Sequence, residues 1–135
     1  MKKLIPFLLF FVLIQNLVYS QETVYVGETE LQVTEIIDGL DVPWEMKWGP
    51  DGFIWITERD GIVSRINVDT GEKHVILDIQ NQVWQSSESG MLGMEIHPNF
   101  NSGSPYVFLA YTYLSGGAKE KIVCYEYDFS NDQCT

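Results

Sequence analysis

The chain reads as an all-β protein of the β-propeller class, and two observations carry that reading. The first is a stretch that folds as strand, tight turn, strand: Pro43–Trp48, then Gly49-Pro50-Asp51-Gly52, then Phe53 to Thr57. Its second strand is apolar on both faces, with Ile54 and Ile56 on one and Phe53 and Trp55 on the other. Such a strand has to be covered on both faces. The second observation is that the pattern recurs. Met94-Glu95-Ile96-His97-Pro98-Asn99 repeats Met46 to Asp51, and Met46 and Met94, Pro50 and Pro98, and Asp51 and Asn99 each stand 48 residues apart. Each turn is followed by a doubly apolar strand, Phe53 to Thr57 and Tyr106 to Tyr113. A period of about 40–50 residues with about four short strands in each is what propeller blades require. Two unrelated hairpins in a β-sandwich are the alternative.

Taken in order, the chain opens on Lys2 and Lys3, an apolar run from Leu4 to Leu13, and Val18-Tyr19-Ser20 ahead of Gln21. Basic residues, a short apolar run and small residues at a cleavage point make a signal peptide over residues 1–20. The run is shorter than the roughly 20 residues a membrane span needs. The expectation is an exported protein, periplasmic or secreted, with no stable membrane span after cleavage; an uncleaved anchor is the alternative. The remaining residues hold 6 basic against 19 acidic side chains, a net charge of −13. That charge repels nucleic acid and anionic lipid. Cys124 and Cys134 are the only cysteines. In an exported chain they are compatible with a disulfide, with two free thiols, or with other partners.

Residues 21–32 read as a polar leader with a possible edge strand. Val33 to Ile37 reads as a short strand ahead of the Asp38-Gly39 turn. Asp60-Gly61 joins the strand ending at Glu58 to Ile62 through Val68 as a tight hairpin. Asp69-Thr70-Gly71-Glu72 turns the chain into a fourth strand, Lys73 to Ile79. The first blade therefore covers about residues 33–79. Gln80 to Ser89 is polar apart from Val83 and Trp84 and has no strand or helix period. In a propeller it crosses an end face to reach the innermost strand of the next blade. That blade, about residues 90–135, reads with three strands, the last being Ile122 to Phe129. With its fourth strand missing, the chain reads as the front of a longer protein or as a truncated product. Trp55, Ile56, Phe108 and Ala110 are expected to be fully buried.

The residues alone carry little chemistry. His97, at the turn before Pro98, suits a structural hydrogen bond, and His74 suits an exposed outer strand. Glu58-Arg59 suits a local ion pair. No phosphate loop, metal-ligand cluster or nucleophile elbow is present in the sequence.

The motifs together resemble one family. Leu40-Asp41-Val42-Pro43-Trp44-Glu45-Met46, Trp48-Gly49-Pro50-Asp51-Gly52 and Trp55-Ile56-Thr57-Glu58-Arg59 resemble the start of the glucose/sorbosone dehydrogenases. Glu88-Ser89-Gly90-Met91-Leu92-Gly93-Met94 through Phe100 resembles the next landmark, and Tyr106 to Thr112 the strand after it. The resemblance runs over residues 36–128. It implies a six-bladed propeller, of which this chain holds about the first two blades. It implies a soluble exported quinoprotein that oxidises aldose sugars by hydride transfer to pyrroloquinoline quinone (PQQ), with calcium as a second cofactor. It also implies a small-molecule sugar substrate and an electron-acceptor protein. At the position of Glu88 the family's sugar oxidisers carry a Gln that faces quinone and sugar, so Glu88 is the candidate cofactor-binding residue. The family's His base, quinone clamp and calcium ligands match no position here, so no catalytic or metal-binding residue is assigned. The 135 residues alone are accordingly expected to be inactive. A non-enzymatic propeller that binds protein or glycan on the same end face is the alternative.

Overall fold

The computed structural model describes residues 21–135, and the signal-peptide expectation for residues 1–20 lies outside the described residues. These divide into two units. The first is an antiparallel hairpin of β1 (Gln21–Val26) and β2 (Thr29–Thr34), reversed at Gly27, whose φ is 62°. The second contains two four-stranded antiparallel sheets, each a simple meander. One is β3 (Pro43–Trp48), β4 (Ile54–Glu58), β5 (Ile62–Ile66) and β6 (Lys73–Asp78). The other is β7 (Met91–Ile96), β8 (Tyr106–Leu114), β9 (Ala118–Asp128) and the two-residue β10 (Gln133–Cys134).

The sheets stack face to face, with β3 against β7 and β6 against β10. This is the radial order of neighbouring blades. The repeat seen in the sequence is a repeat of backbone geometry. β3 slips register against β4 between Pro43 and Met46, and β7 slips against β8 between Met91 and Met94, at equivalent positions. A bulge re-aims a strand, and here the two bulges are tied together. The buried Thr57 hydroxyl accepts from the Glu45 amide at 3.1 Å and donates to the Leu92 carbonyl at 3.1 Å. One side chain thus satisfies polar groups in both inner strands.

The first turn follows its chemistry. Gly52 has φ 83°, and the Asp51 carboxylate accepts from the Phe53 amide at 3.2 Å, an Asx turn. The same carboxylate accepts from Trp55 Nε1 at 3.0 Å. A Cβ at Gly49 would lie 2.3 Å from that Nε1, so only glycine lets the indole close over the turn. The second blade's turn is longer and holds a 3₁₀ turn, Phe100–Ser102. Phe100 is buried between the sheets and packs edge-on to Trp55, with ring centroids 5.5 Å apart. Val63, Met91, Leu109 and Tyr111 complete the centre of this core.

At the outer side Arg65 joins the sheets. Its guanidinium pairs with Asp51 at 2.8 Å and with Asp132, donates to the Tyr127 hydroxyl at 2.7 Å, and lies 4.1 Å from the Phe53 ring centre. Burial and the hydrogen bond with Asp132 push the Tyr127 hydroxyl well above the usual phenol range. Burial alone would raise the Asp132 carboxyl, but Tyr127 and Arg65 outweigh it and hold it below its usual value.

Three sequence expectations need correction, and one alternative left open for the cysteines is settled among the described residues. Val33 and Thr34 end the separate hairpin, and residues 35–40 have no regular structure, so the first blade starts at Pro43 and not near residue 33. The second blade has four strands, because Gln133 and Cys134 pair with Asp128 and Tyr127. Trp55 and Ile56 are buried as expected, but Phe108 and Ala110 are only half-buried. They line an open apolar groove with Gly93 and Ile122 on the face of the second sheet turned away from the first. Cys124 is exposed and Cys134 buried, and both are free thiols.

Candidate functional site

Residues of the candidate site meet at the end of the blades where the inner strands begin. β4 arrives there at Glu58, and β3 and β7 leave from Pro43 and Met91. Glu58 is buried. Its carboxylate accepts from the Asp41 amide at 2.8 Å and forms an ion pair with Lys73. It therefore anchors the loop entering β3, and the expected local pair with Arg59 is not formed.

Arg59 turns to other work. Its amide donates to the Val42 carbonyl at 3.2 Å, and its carbonyl accepts from the Met91 amide at 2.8 Å. The main chain of one residue thus bridges the entrances of both inner strands. Its guanidinium donates to the Ser87 carbonyl at 2.8 Å.

Glu88 sits directly above that contact. Ser86 to Ser89 form a tight turn closed by the Ser89 amide, which donates to the Ser86 carbonyl at 3.0 Å, and by the Ser89 hydroxyl, which donates to the same oxygen at 2.5 Å. Ser87 has φ 55° and Glu88 follows it at the tip, exposed. Among the described residues no cation lies within ion-pair distance of Glu88. Gly90 brings the chain down onto Arg59. Its φ is 150°, and a Cβ there would fall 2.4 Å from both Arg59 Cγ and the Arg59 carbonyl oxygen. The Thr112 amide donates to the Gly90 carbonyl at 2.9 Å, which fixes the entry to β7.

Farther out on this end, the Trp84 amide donates to the Thr112 carbonyl at 2.8 Å. Lys121 lies 4.8 Å from the ring centres of both Tyr111 and Tyr113. The two histidines lie elsewhere. His97 Nδ1 accepts from the Asn99 amide at 3.1 Å, the structural bond expected of it. His74 is partly exposed on β6, 3.6 Å from Glu72.

This end suits the wall of a polar ligand pocket: an exposed carboxylate on a braced turn beside two strand openings. It does not suit the clamp for a tricarboxylate quinone. Such a ligand needs several cationic donors on one surface, and the nearest, Arg59, already donates to Ser87. Among the described residues no group of three or more His, Cys, Asp or Glu is placed to hold a metal. Sequence reasoning picked out Glu88 but missed Arg59 as its neighbour. The glycine at position 90 was the available signal, because a strand opening on Gly often marks a close backbone approach.

A family model described as Glucose / Sorbosone dehydrogenase matches residues 40–135. Quinoprotein glucose dehydrogenase B of Acinetobacter calcoaceticus is 31% identical over 88 residues, which cover 64% of this chain and 18% of that protein. The PQQ-bound aldose sugar dehydrogenase of Streptomyces coelicolor superposes with a TM-score of 0.64 at 27% identity, over 73% of this chain and 29% of that one. The apo soluble aldose sugar dehydrogenase of Escherichia coli superposes with a TM-score of 0.62 at 24% identity, over 71% and 28%, and speaks for the fold alone. The chain spans 18% of the length of the curated relative and 29% and 28% of the two solved structures. The two stacked meanders are blades of a β-propeller.

Proposed function

The chain belongs to the glucose/sorbosone dehydrogenase family, and on that premise we propose that it contributes two blades to an exported quinoprotein that oxidises aldose sugars. The quinone, PQQ, would supply the hydride acceptor. Calcium and an electron-acceptor protein belong to the same proposal. Export rests on the Lys-Lys, apolar-run and Val-Tyr-Ser order of residues 1–20. Among the described residues no helix is long and apolar enough to cross a membrane.

The observation that carries the reading is the position of Glu88, exposed on a closed turn at the mouth of the inner strands. Loops on a rigid scaffold are where ligand-binding groups concentrate. In this role the Glu88 carboxylate accepts a hydrogen bond from a sugar hydroxyl and orients the ring. A carboxylate accepts where a Gln amide both donates and accepts, so this chain selects a different hydroxyl pattern from relatives with Gln. Residues outside these two blades hold the quinone carboxylates and remove the hydroxyl proton.

The test is dye-coupled oxidation of an aldose panel by the full-length protein after loading with PQQ and calcium, with Glu88→Gln alongside. Turnover of at least one aldose is expected, with kcat/KM ratios between sugars changed about tenfold by the substitution, the weight of one charged hydrogen bond, and an unchanged melting temperature. Glycan binding without turnover would replace the proposal with the binding-module reading. Identical sugar ratios in both proteins would remove Glu88 from the site.

A further inference from the structure

We propose that Arg59 is the positioning residue for Glu88, and that the sugar preference of the site is set by the pair and not by Glu88 alone; this rests on the sugar-oxidation reading above. Three observations converge on it.

The first is strain. Among the described residues three non-glycine residues have positive φ: Val42 at 49°, Ser87 at 55° and Asp132 at 54°. Such conformations persist only where surroundings enforce them, and they gather at functional sites. Arg59 holds two of the three. Its amide binds the Val42 carbonyl and its guanidinium binds the Ser87 carbonyl, while its own carbonyl binds the Met91 amide. For β-branched Val42 the left-handed region is especially unfavourable.

The second is fit. Gly90 lies so close over the Arg59 stem that any Cβ would collide with it. The turn carrying Glu88 is therefore seated on Arg59 from below and tied to it by the guanidinium. Arg59 makes no ion pair with Glu88 itself. It fixes the turn through a peptide oxygen and leaves the carboxylate open to a ligand.

The third is an unmade bond. Arg59 Nε is buried and has no hydrogen-bond partner among the described residues. A buried donor without a partner works against folding and calls for an explanation. Holding the guanidinium on Ser87, and so Glu88 in one place, supplies one. Lysine cannot substitute, because a flexible ammonium lacks the planar fork that reaches Ser87 from a stem pinned under Gly90.

The experiment uses the full-length protein with Arg59→Lys and Arg59→Met, each alone and combined with Glu88→Gln. Arg59→Met keeps the stem under Gly90 and removes only the donor, so it serves if Arg59→Lys misfolds. Hydrogen exchange at the Ser89 amide, measured without cofactor or sugar, reads the turn directly. We expect it to quicken at least tenfold in both variants while exchange at Ile56 is unchanged. The kcat/KM ratio between two aldoses should shift several-fold where Glu88 is intact and show no further shift where Glu88→Gln is already present. Unchanged Ser89 exchange overturns the anchoring. An equal shift with and without Glu88→Gln overturns the action through Glu88. If the unmodified protein oxidises no sugar, the functional reading fails and with it the claim on preference, while Ser89 exchange still decides whether Arg59 holds the turn.

Discussion

Removing the Arg65 guanidinium should cost about 3–5 kcal/mol of stability, because it strands a desolvated carboxylate inside the first blade. Arg65→Met keeps an aliphatic stem of similar reach against Phe53 and deletes the charge. The side chains of Arg65 and Asp51 are only 12% and 17% exposed. Breaking a buried pair by deleting one partner costs about 3–5 kcal/mol, because the surviving charge is left desolvated and unpaired. The Asp132 side chain is 41% exposed, so water screens its loss, and that pair adds at most about 1 kcal/mol. Asp51 itself provides a control. Asn at position 51 can still accept from Trp55 Nε1 and the Phe53 amide, the two hydrogen bonds Asp51 makes in the turn. Asp51→Asn added to Arg65→Met removes the stranded charge and should restore at least about 1 kcal/mol, the lower end of the cost of an unsatisfied buried group, whereas Asp132→Asn should restore almost nothing. The assay is denaturant unfolding of the full-length protein followed by tryptophan fluorescence, comparing midpoints at constant m. A loss for Arg65→Met below about 1 kcal/mol, the level of an exposed pair, or equal rescue by the two Asn substitutions, would refute the claim that Arg65 is held chiefly by a desolvated pair with Asp51 inside the first blade.

Two further expectations follow from the same core. Trp55→Phe should cost about 2–4 kcal/mol, since it leaves a gap against Phe100 and deletes the donor to the Asp51 carboxylate; Trp55 is fully buried while Trp44 and Trp48 are exposed, so iodide-quenchable fluorescence should survive the substitution and unquenchable emission should fall. Burial, with the nearby Asp132 charge, pushes the Cys134 thiol from 9.0 up to about 12; the folded chain then holds a proton that the unfolded chain releases, so stability is full below about pH 9 and falls as pH rises towards about 12, by up to about 1.4 kcal/mol per pH unit, and melts of Cys134→Ala across that window should show a shallower fall.

Much of the fold was legible because blade geometry imposes local rules. The Gly49–Gly52 turn, the doubly apolar strands and the 48-residue recurrence each follow from what a strand or turn needs within a few residues. What escaped the reading depends on partners distant in sequence. Phe108 and Ala110 have the composition of core positions, yet their face of the sheet is an open groove among the described residues, and nothing in Tyr106 to Tyr113 says which face is covered. Val33 looked like the start of a blade, but its ladder partner is Glu22, a pairing that a short apolar–polar pattern does not specify. The two residues of β10 are too short to carry any period and pair only because Asp128 and Tyr127 face them.

The same limit explains why Glu88 was visible and Arg59 was not. Glu88 stands in a polar segment ahead of a glycine, so its exposure follows from composition. The role of Arg59 rests on two carbonyls, at Val42 and Ser87, and neither residue type announces a positive φ. Glu58-Arg59 offered the simplest pairing, two opposite charges side by side, and the structure rejects it. β4 ends at Glu58, whose carboxylate turns to Lys73 and the Asp41 amide, while Arg59 lies in the turn that follows and reaches the turn above the next inner strand. The end of the strand therefore separates an acid that anchors the loop into β3 from a basic residue that braces the turn carrying Glu88.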